Sequence, residues 1–353
     1  MSGVNRNGRL FREFYRKIYR RLLYRPSYPL LAPADYSPCR FDDEIRRARG
    51  EYQGLIAYFG AELKEIDRRF CHPVWQGLKA QIGNYLLTNV SYDFLNYEKI
   101  TSTMVRRKWG TVQKIEQEYI TQAASRQPLL REMLGSFVES RVGEPWLESR
   151  RYRCSSNTIG LLFTFARILE HYHGRLPDPL TVIEFGGGYG NLARIFKMAY
   201  PKATYCIIDF PELLLLQSVY LRLNFAAGDV ILQQSVPVTI KPGAFNLMPV
   251  YSMAGCAISG NLFISTFGLS ESPEYVQQLV IRKRFFGCSD IYITGLEDSS
   301  NPDEDKFVHH CVIHQGAQAC FPRVVSQRFH AIDKSYELIG SEGCGGQDHS
   351  PLT

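Results

Sequence analysis

Apolar positions recur along this chain with two kinds of spacing, and each predicts a kind of element. Between residues 6 and 25, Leu10, Phe14, Ile18 and Leu22 fall every fourth position, with arginines and Lys17 between them, which predicts an amphipathic helix with a basic face. Pro26, Pro29, Pro33 and Pro38 then predict an extended linker to about residue 40. Over 42–69, Ile45, Ala48, Tyr52, Leu55, Ile56, Phe59, Leu63 and Ile66 keep to one helical face, with Asp42 and Asp43 placed to cap the start. Further helical patterns cover 74–90 and 110–141, with a loop at 89–96. After residue 145 the spacing changes. An apolar helix over 158–172, capped by Ser156 or Asn157, leads into short apolar runs at 181–185, 203–208, 261–265 and 290–295, with 229–234 and 245–250 as two candidates for the third strand between them. Helical patterns at 211–223 and 273–284 alternate with them. Read as a strand, 307–314 puts His310 and His314 on one face; alternating stretches at 324–325 and 336–339 complete the series. Strand and helix in alternation predict a doubly wound α/β domain over 146–353, preceded by a helical segment over 41–145 and the basic helix and linker of 1–40. The helical segment is expected to cover a cleft or to build a dimer interface.

The chain is organised around residues 181–194. An apolar run ends at Glu184, glycines follow at 186, 188 and 190, and a helical pattern begins near Tyr189. This is a strand, a tight turn and a helix whose free N–H groups point at whatever the turn holds. The next strand pattern stops at Asp209, where a carboxylate can accept hydrogen bonds from ribose hydroxyls. A nicotinamide dinucleotide fingerprint needs its last two glycines three apart, so the spacing here argues against a dehydrogenase. Topology places a further group at the end of the strand over 261–265, namely Ser265, Thr266, Ser270 and Glu271. Glu271 is either a general base toward a hydroxyl or a first-turn glutamate of the next helix, and His310 is the alternative base.

Acid-x-Gly-x-Gly-x-Gly resembles the first motif of class I S-adenosylmethionine-dependent methyltransferases. With Ser265, Thr266, Phe267, Gly268, Leu269, Ser270, Glu271 and Tyr275 downstream, residues 145–300 resemble the sugar O-methyltransferase family. Two positions depart from that family: its Asn is Ser265 here and its Met is Ser272. The resemblance implies a Rossmann-like sheet of seven mostly parallel strands with helices on both faces, the sixth and seventh forming an edge hairpin. It also implies S-adenosyl-L-methionine as cofactor and a saccharide or other small-molecule hydroxyl as acceptor. The cofactor set it implies is Glu184, Phe185, Gly186, Gly187, Gly188, Gly190, Asp209, Phe210 and Ser265. Tyr152, Ser155 and Asn157 join it from the segment before the first strand.

Composition trims these expectations. With 353 residues, 45% of them hydrophobic, the chain can bury one good core and a smaller second one. A net charge of +6, concentrated in the first 25 residues, is too modest to point to nucleic acid. The basic helix suits either an anionic membrane surface or a docking site on this protein or a second copy. Nine scattered cysteines without a C-x-x-C pair read as reduced thiols, and no apolar run reaches a membrane span, so a cytoplasmic protein is expected. No zinc site is expected from the histidines near 310, since a strand aims at most two imidazoles together. Asp298, Asp303, Glu304 and Asp305 read as solvated carboxylates ahead of a magnesium site.

Overall fold

The computed structural model describes residues 38–60, 68–105, 110–149, 151–174, 176–296, 310–329 and 335–342. The basic helix over 6–25 and the acidic positions Asp298, Asp303, Glu304 and Asp305 lie outside them.

Eight strands form one sheet: β1 Thr181–Phe185, β2 Thr204–Asp209, β3 Val230–Leu232, β4 Phe245–Pro249, β5 Leu262–Thr266, β6 Asp290–Leu296, β7 Arg323–Arg328 and β8 Ser335–Ser341. Their spatial order is β3-β4-β2-β1-β5-β6-β8-β7. The pairs from β3 to β6 are parallel, whereas β8 runs antiparallel to both β6 and β7. Seven of these strands, with the antiparallel one second from the edge, have the order of the Rossmann-like class I methyltransferase fold. The eighth, β3, corrects the expected count of seven. Both the 229–234 and the 245–250 runs are strands; β4 pairs with β2, and β3 adds an outer edge to it.

Strand residues alternate between two cores, as a period of two requires. Val182, Tyr205, Ile207, Leu262 and Ile264 face the larger core, and Ile183, Cys206, Ile208 and Phe263 face the other. Burial on both faces explains the nearly unbroken apolar runs of β1 and β2. Helices α6 Ser156–His171, α7 Asn191–Ala199 and α8 Pro211–Asn224 pack on the first face, while α9 Glu274–Arg282 and α10 His310–Cys320 pack on the second.

The helical segment comprises α1 Pro38–Phe59, α2 Pro73–Thr88, α3 Glu98–Met104, α4 Thr111–Arg126 and α5 Pro128–Ser136. Its core is continuous with that of the sheet, running from Phe41 to Phe329. Helix α8 is buried on every side, which its sequence Leu213, Leu214, Leu215, Leu216 reflects. Its outer side is covered by α1 and α2. Arg222, 1% exposed, donates to Glu51 of α1 at 2.7 Å, and Lys79 of α2 pairs with Glu212 at 3.3 Å.

Three element boundaries differ from expectation. Helix α1 starts at Pro38, which suits a first turn because its missing N–H would be free anyway, and stops at Phe59 before Gly60 at φ +54°. Pro128 divides 110–141 into α4 and α5, since proline cannot continue the helix that precedes it. The stretch expected to be a strand over 307–314 is helical from His310 onward. Ile313 and Ala317, four apart and both buried, are what a helix needs rather than a strand. The cysteines described are free thiols.

Candidate functional site

Strand order reverses at β1, which lies between β2 and β5, and a cavity of about 370 Å³ opens beyond the carboxyl ends of these strands. The glycine turn forms its floor. Gly186 sits at φ +79°, and a Cβ on it would lie 2.9 Å from the Cα of Gly268, so two backbones touch where β1 and β5 end. Gly268 is required for the same reason from its own side: a Cβ there would meet Gly186 Cα and the Phe185 carbonyl oxygen, both at 2.9 Å. Gly188, at φ +57°, would have nothing within 4 Å of a Cβ, so its backbone lies bare toward the cavity. Gly190 then caps α7 in the left-handed conformation.

Glu184 and Asp209, 1% and 5% exposed, bracket this turn. The Tyr205 hydroxyl donates to Glu184 Oε2 at 3.0 Å. Burial pushes the Glu184 carboxyl up to about 8, against the pull of the Tyr205 hydroxyl. Asp209 Oδ2 accepts from the Gly187 N–H at 3.0 Å and from Gln217 Nε2 at 2.7 Å, and Oδ1 accepts from the Phe210 N–H at 2.8 Å. Burial still outweighs those three donors and raises Asp209 to about 7. Gln217 also donates to the Gly188 carbonyl at 3.0 Å, so one amide ties the turn to the end of β2.

Phe185, Gly186, Gly187, Gly188, Phe210 and Asn157 line the cavity with the two carboxylates. Glu271 lines it from the loop after β5, and burial raises its carboxyl to about 7. The helical segment supplies Trp75 and Ser102 to Val105 as a wall, and Phe267, Leu296 and Phe329 add an apolar side. Phe267 holds φ +69°, a left-handed backbone unusual for a bulky residue and common at functional sites.

Three expected cofactor residues have other partners. Ser265 is fully buried, donates to the Phe185 carbonyl at 3.0 Å and accepts from the Leu269 N–H at 2.9 Å, fastening the end of β5 to β1 beneath the cavity. Tyr152 shares a hydrogen bond of 2.7 Å with Thr121 of α4. Ser155, not Ser156 or Asn157, caps α6: it accepts from the Thr158 N–H at 3.2 Å and donates to Glu139 at 3.0 Å. None of these three lines the cavity. His310 begins α10, and its side chain lies outside those described. Among the described residues no cluster of three or more His, Cys, Asp or Glu could hold a metal.

Sequence reasoning passed over Trp75, Gln217 and a specific role for Gly268. Gly268 lies inside the motif that singled out Glu271, so its signal was present; Gln217 is a polar interruption of an apolar run; Trp75 has no local signal at all.

No protein-family model and no curated relative matches the chain. Solved structures to which it is similar include an O-methyltransferase family protein from Burkholderia thailandensis, 14% identical with a TM-score of 0.34, covering 87% of this chain and 98% of that one. Mitomycin 7-O-methyltransferase MmcR is 9% identical with a TM-score of 0.34, covering 76% and 68%. The methyltransferase domain of bacterial CtHen1 is 11% identical with a TM-score of 0.33, covering 50% and 95%. Likenesses this distant carry no argument about chemistry, which rests on the residues of this chain.

Proposed function

We propose that the protein is an S-adenosylmethionine-dependent O-methyltransferase acting on a sugar hydroxyl of a saccharide or glycosylated metabolite. The observation that carries this reading is the pair of buried carboxylates, Glu184 and Asp209, set around a bare glycine turn at the switch point of the sheet. Two acids raised by burial suit a ligand that brings a positive charge and hydroxyl donors of its own. The cofactor fits those residues. When bound, it supplies a methyl group on a positive sulfur, whose bonding electron pair stays with sulfur as S-adenosylhomocysteine leaves.

The chain's own part is to hold, align and dry the site. Asp209 and the Gly187 to Gly188 backbone are assigned the ribose and methionine ends, with Phe210 and Val250 along the adenine side. Glu271 is assigned the acceptor hydroxyl, whose proton it can take because its carboxyl titrates near neutrality. A wall built by Trp75, Met104 and Val105 excludes water from the transfer. The sugar acceptor draws its support from the resemblance over 145–300, including the stretch that ends at Glu271.

Calorimetric titration with S-adenosylhomocysteine, with NAD as the comparison, tests the cofactor. Micromolar binding of the homocysteine compound alone is expected; failure to bind it, or equal binding of NAD, refutes the reading.

A further inference from the structure

Helix α2 carries Trp75 in its first turn, and the Trp75 indole Nε1–H donates to Glu271 Oε2 at 3.0 Å. Both residues line the cavity, and 196 positions of chain separate them. The bond therefore ties the helical segment to the loop after β5 at the point where an acceptor would react. Lys79 pairs with Glu212 one turn further along α2, so the helix is anchored to α8 beyond the indole as well. An N–H bonds a carboxylate more strongly than it bonds a neutral acid, because the ionised acceptor carries full charge.

We propose that Trp75 is a positioning residue for Glu271, and that the bond between them loosens when Glu271 takes up a proton. The indole occupies Oε2 and leaves Oε1 for the acceptor hydroxyl. The proton leaving that hydroxyl goes to the Glu271 carboxylate, which becomes a neutral acid; it passes to water when the site opens. Uptake of the proton weakens the tie between α2 and the loop after β5, while the Lys79–Glu212 pair still holds α2 to α8. This inference rests on the methyltransferase reading of the cavity.

The ionisable groups on the elements around Glu271 are Glu184 and Asp209 at the ends of β1 and β2, Glu274 in its own segment, Arg69, whose guanidinium lies 4.6 Å over the Tyr275 ring, and, on α2 with Trp75, His72 at the N-cap and Lys79 in its pair with Glu212. What acts on the Glu271 carboxyl is burial, which raises it, and the Trp75 N–H, which lowers it.

The test is nitrogen-resolved NMR of the full chain labelled at its tryptophan indoles, with S-adenosylhomocysteine present. Three Nε1–H signals arise from Trp75, Trp109 and Trp146. The one missing in Trp75→Phe belongs to Trp75, and unmoved signals from the other two show that the variant is folded. The expected Trp75 signal lies downfield, moves upfield as pH falls through about 7, and loses that response in Glu271→Gln. A Trp75 signal that does not titrate between pH 5 and pH 9, or one whose titration survives Glu271→Gln, overturns the proposal. Should Trp75→Phe fail to fold, comparison of the parent with Glu271→Gln decides: no indole signal losing a pH response overturns it equally. Calorimetry with S-adenosylhomocysteine fails or succeeds independently, so the cofactor reading and this inference are separable.

Discussion

Replacing Glu184 by glutamine removes a charge while keeping the side chain's shape, and the pH dependence of folding then changes by a calculable amount. Burial raises this carboxyl from 4.5 to about 8; the Tyr205 hydroxyl opposes the rise and the Asp209 charge adds to it. The unfolded chain therefore releases this proton near 4.5 and the folded one near 8. Between those values the folded state holds more proton than the unfolded, so stability falls as pH rises through the window and levels off above it. Weighing the two proton equilibria, the parent protein loses about 3 kcal/mol between pH 5 and pH 8 through this one group. In Glu184→Gln that loss is absent. The amide oxygen can still accept from Tyr205, and any cost of placing the NH₂ group is the same at every pH. Urea unfolding of both proteins, without cofactor, at pH 5, 6, 7 and 8 measures the difference in slope. The variant should gain on the parent by about 3 kcal/mol across the series. Parallel pH profiles would show that Glu184 is not a buried carboxyl with a raised proton affinity.

Asp209→Ala leaves the Gly187 N–H and the Gln217 amide without their acceptor; affinity for S-adenosylhomocysteine should fall by about 1–3 kcal/mol in a calorimetric titration. Ser265→Ala strands the buried Leu269 N–H, so thermal unfolding should register a loss of about 1–3 kcal/mol while cofactor affinity stays that of the parent. Reduced affinity in the folded variant would return Ser265 to the cofactor site. Gly268→Ala presses a methyl group against two backbone atoms at 2.9 Å that cannot swing away, and should cost about 1–3 kcal/mol in chemical denaturation and lower cofactor affinity as well.

The sheet was legible because its strands carry their signal locally. Val182, Ile183 and the run from Tyr205 to Ile208 are apolar on both faces, and each ends on an acid where the chain reaches the cavity. Glycine spacing likewise announces the turn, since the glycines at 186, 188 and 190 reach positive φ with no Cβ to oppose it. Other parts depend on partners far away in the chain. Ser155 and Ser265 stand in plausible places, but whether a hydroxyl meets a ligand or a neighbouring backbone is decided by Glu139 and Leu269. The wall of the cavity is the extreme case, because nothing near Trp75 hints at a carboxylate 196 positions downstream. The strand expected over 307–314 failed for a simpler reason: a short apolar-polar run fits both periods, and only Ala317 beyond its end separates them.

The way α8 is enclosed has a consequence for how the protein is made. Arg40 of α1 donates to the Arg222 carbonyl across 182 positions of sequence, and Lys79 of α2 pairs with Glu212 across 133. On the ribosome the N-terminal helices emerge first, and the apolar face of α1 lacks its main partner until the leucine-rich helix follows. Contacts of such long range close slowly, so the newborn chain passes through an interval in which Ile45 and Leu55 are open to other proteins. A chaperone that shields that face during synthesis would shorten that interval, and a fragment starting after residue 145 would carry the opposite liability, a bare α8.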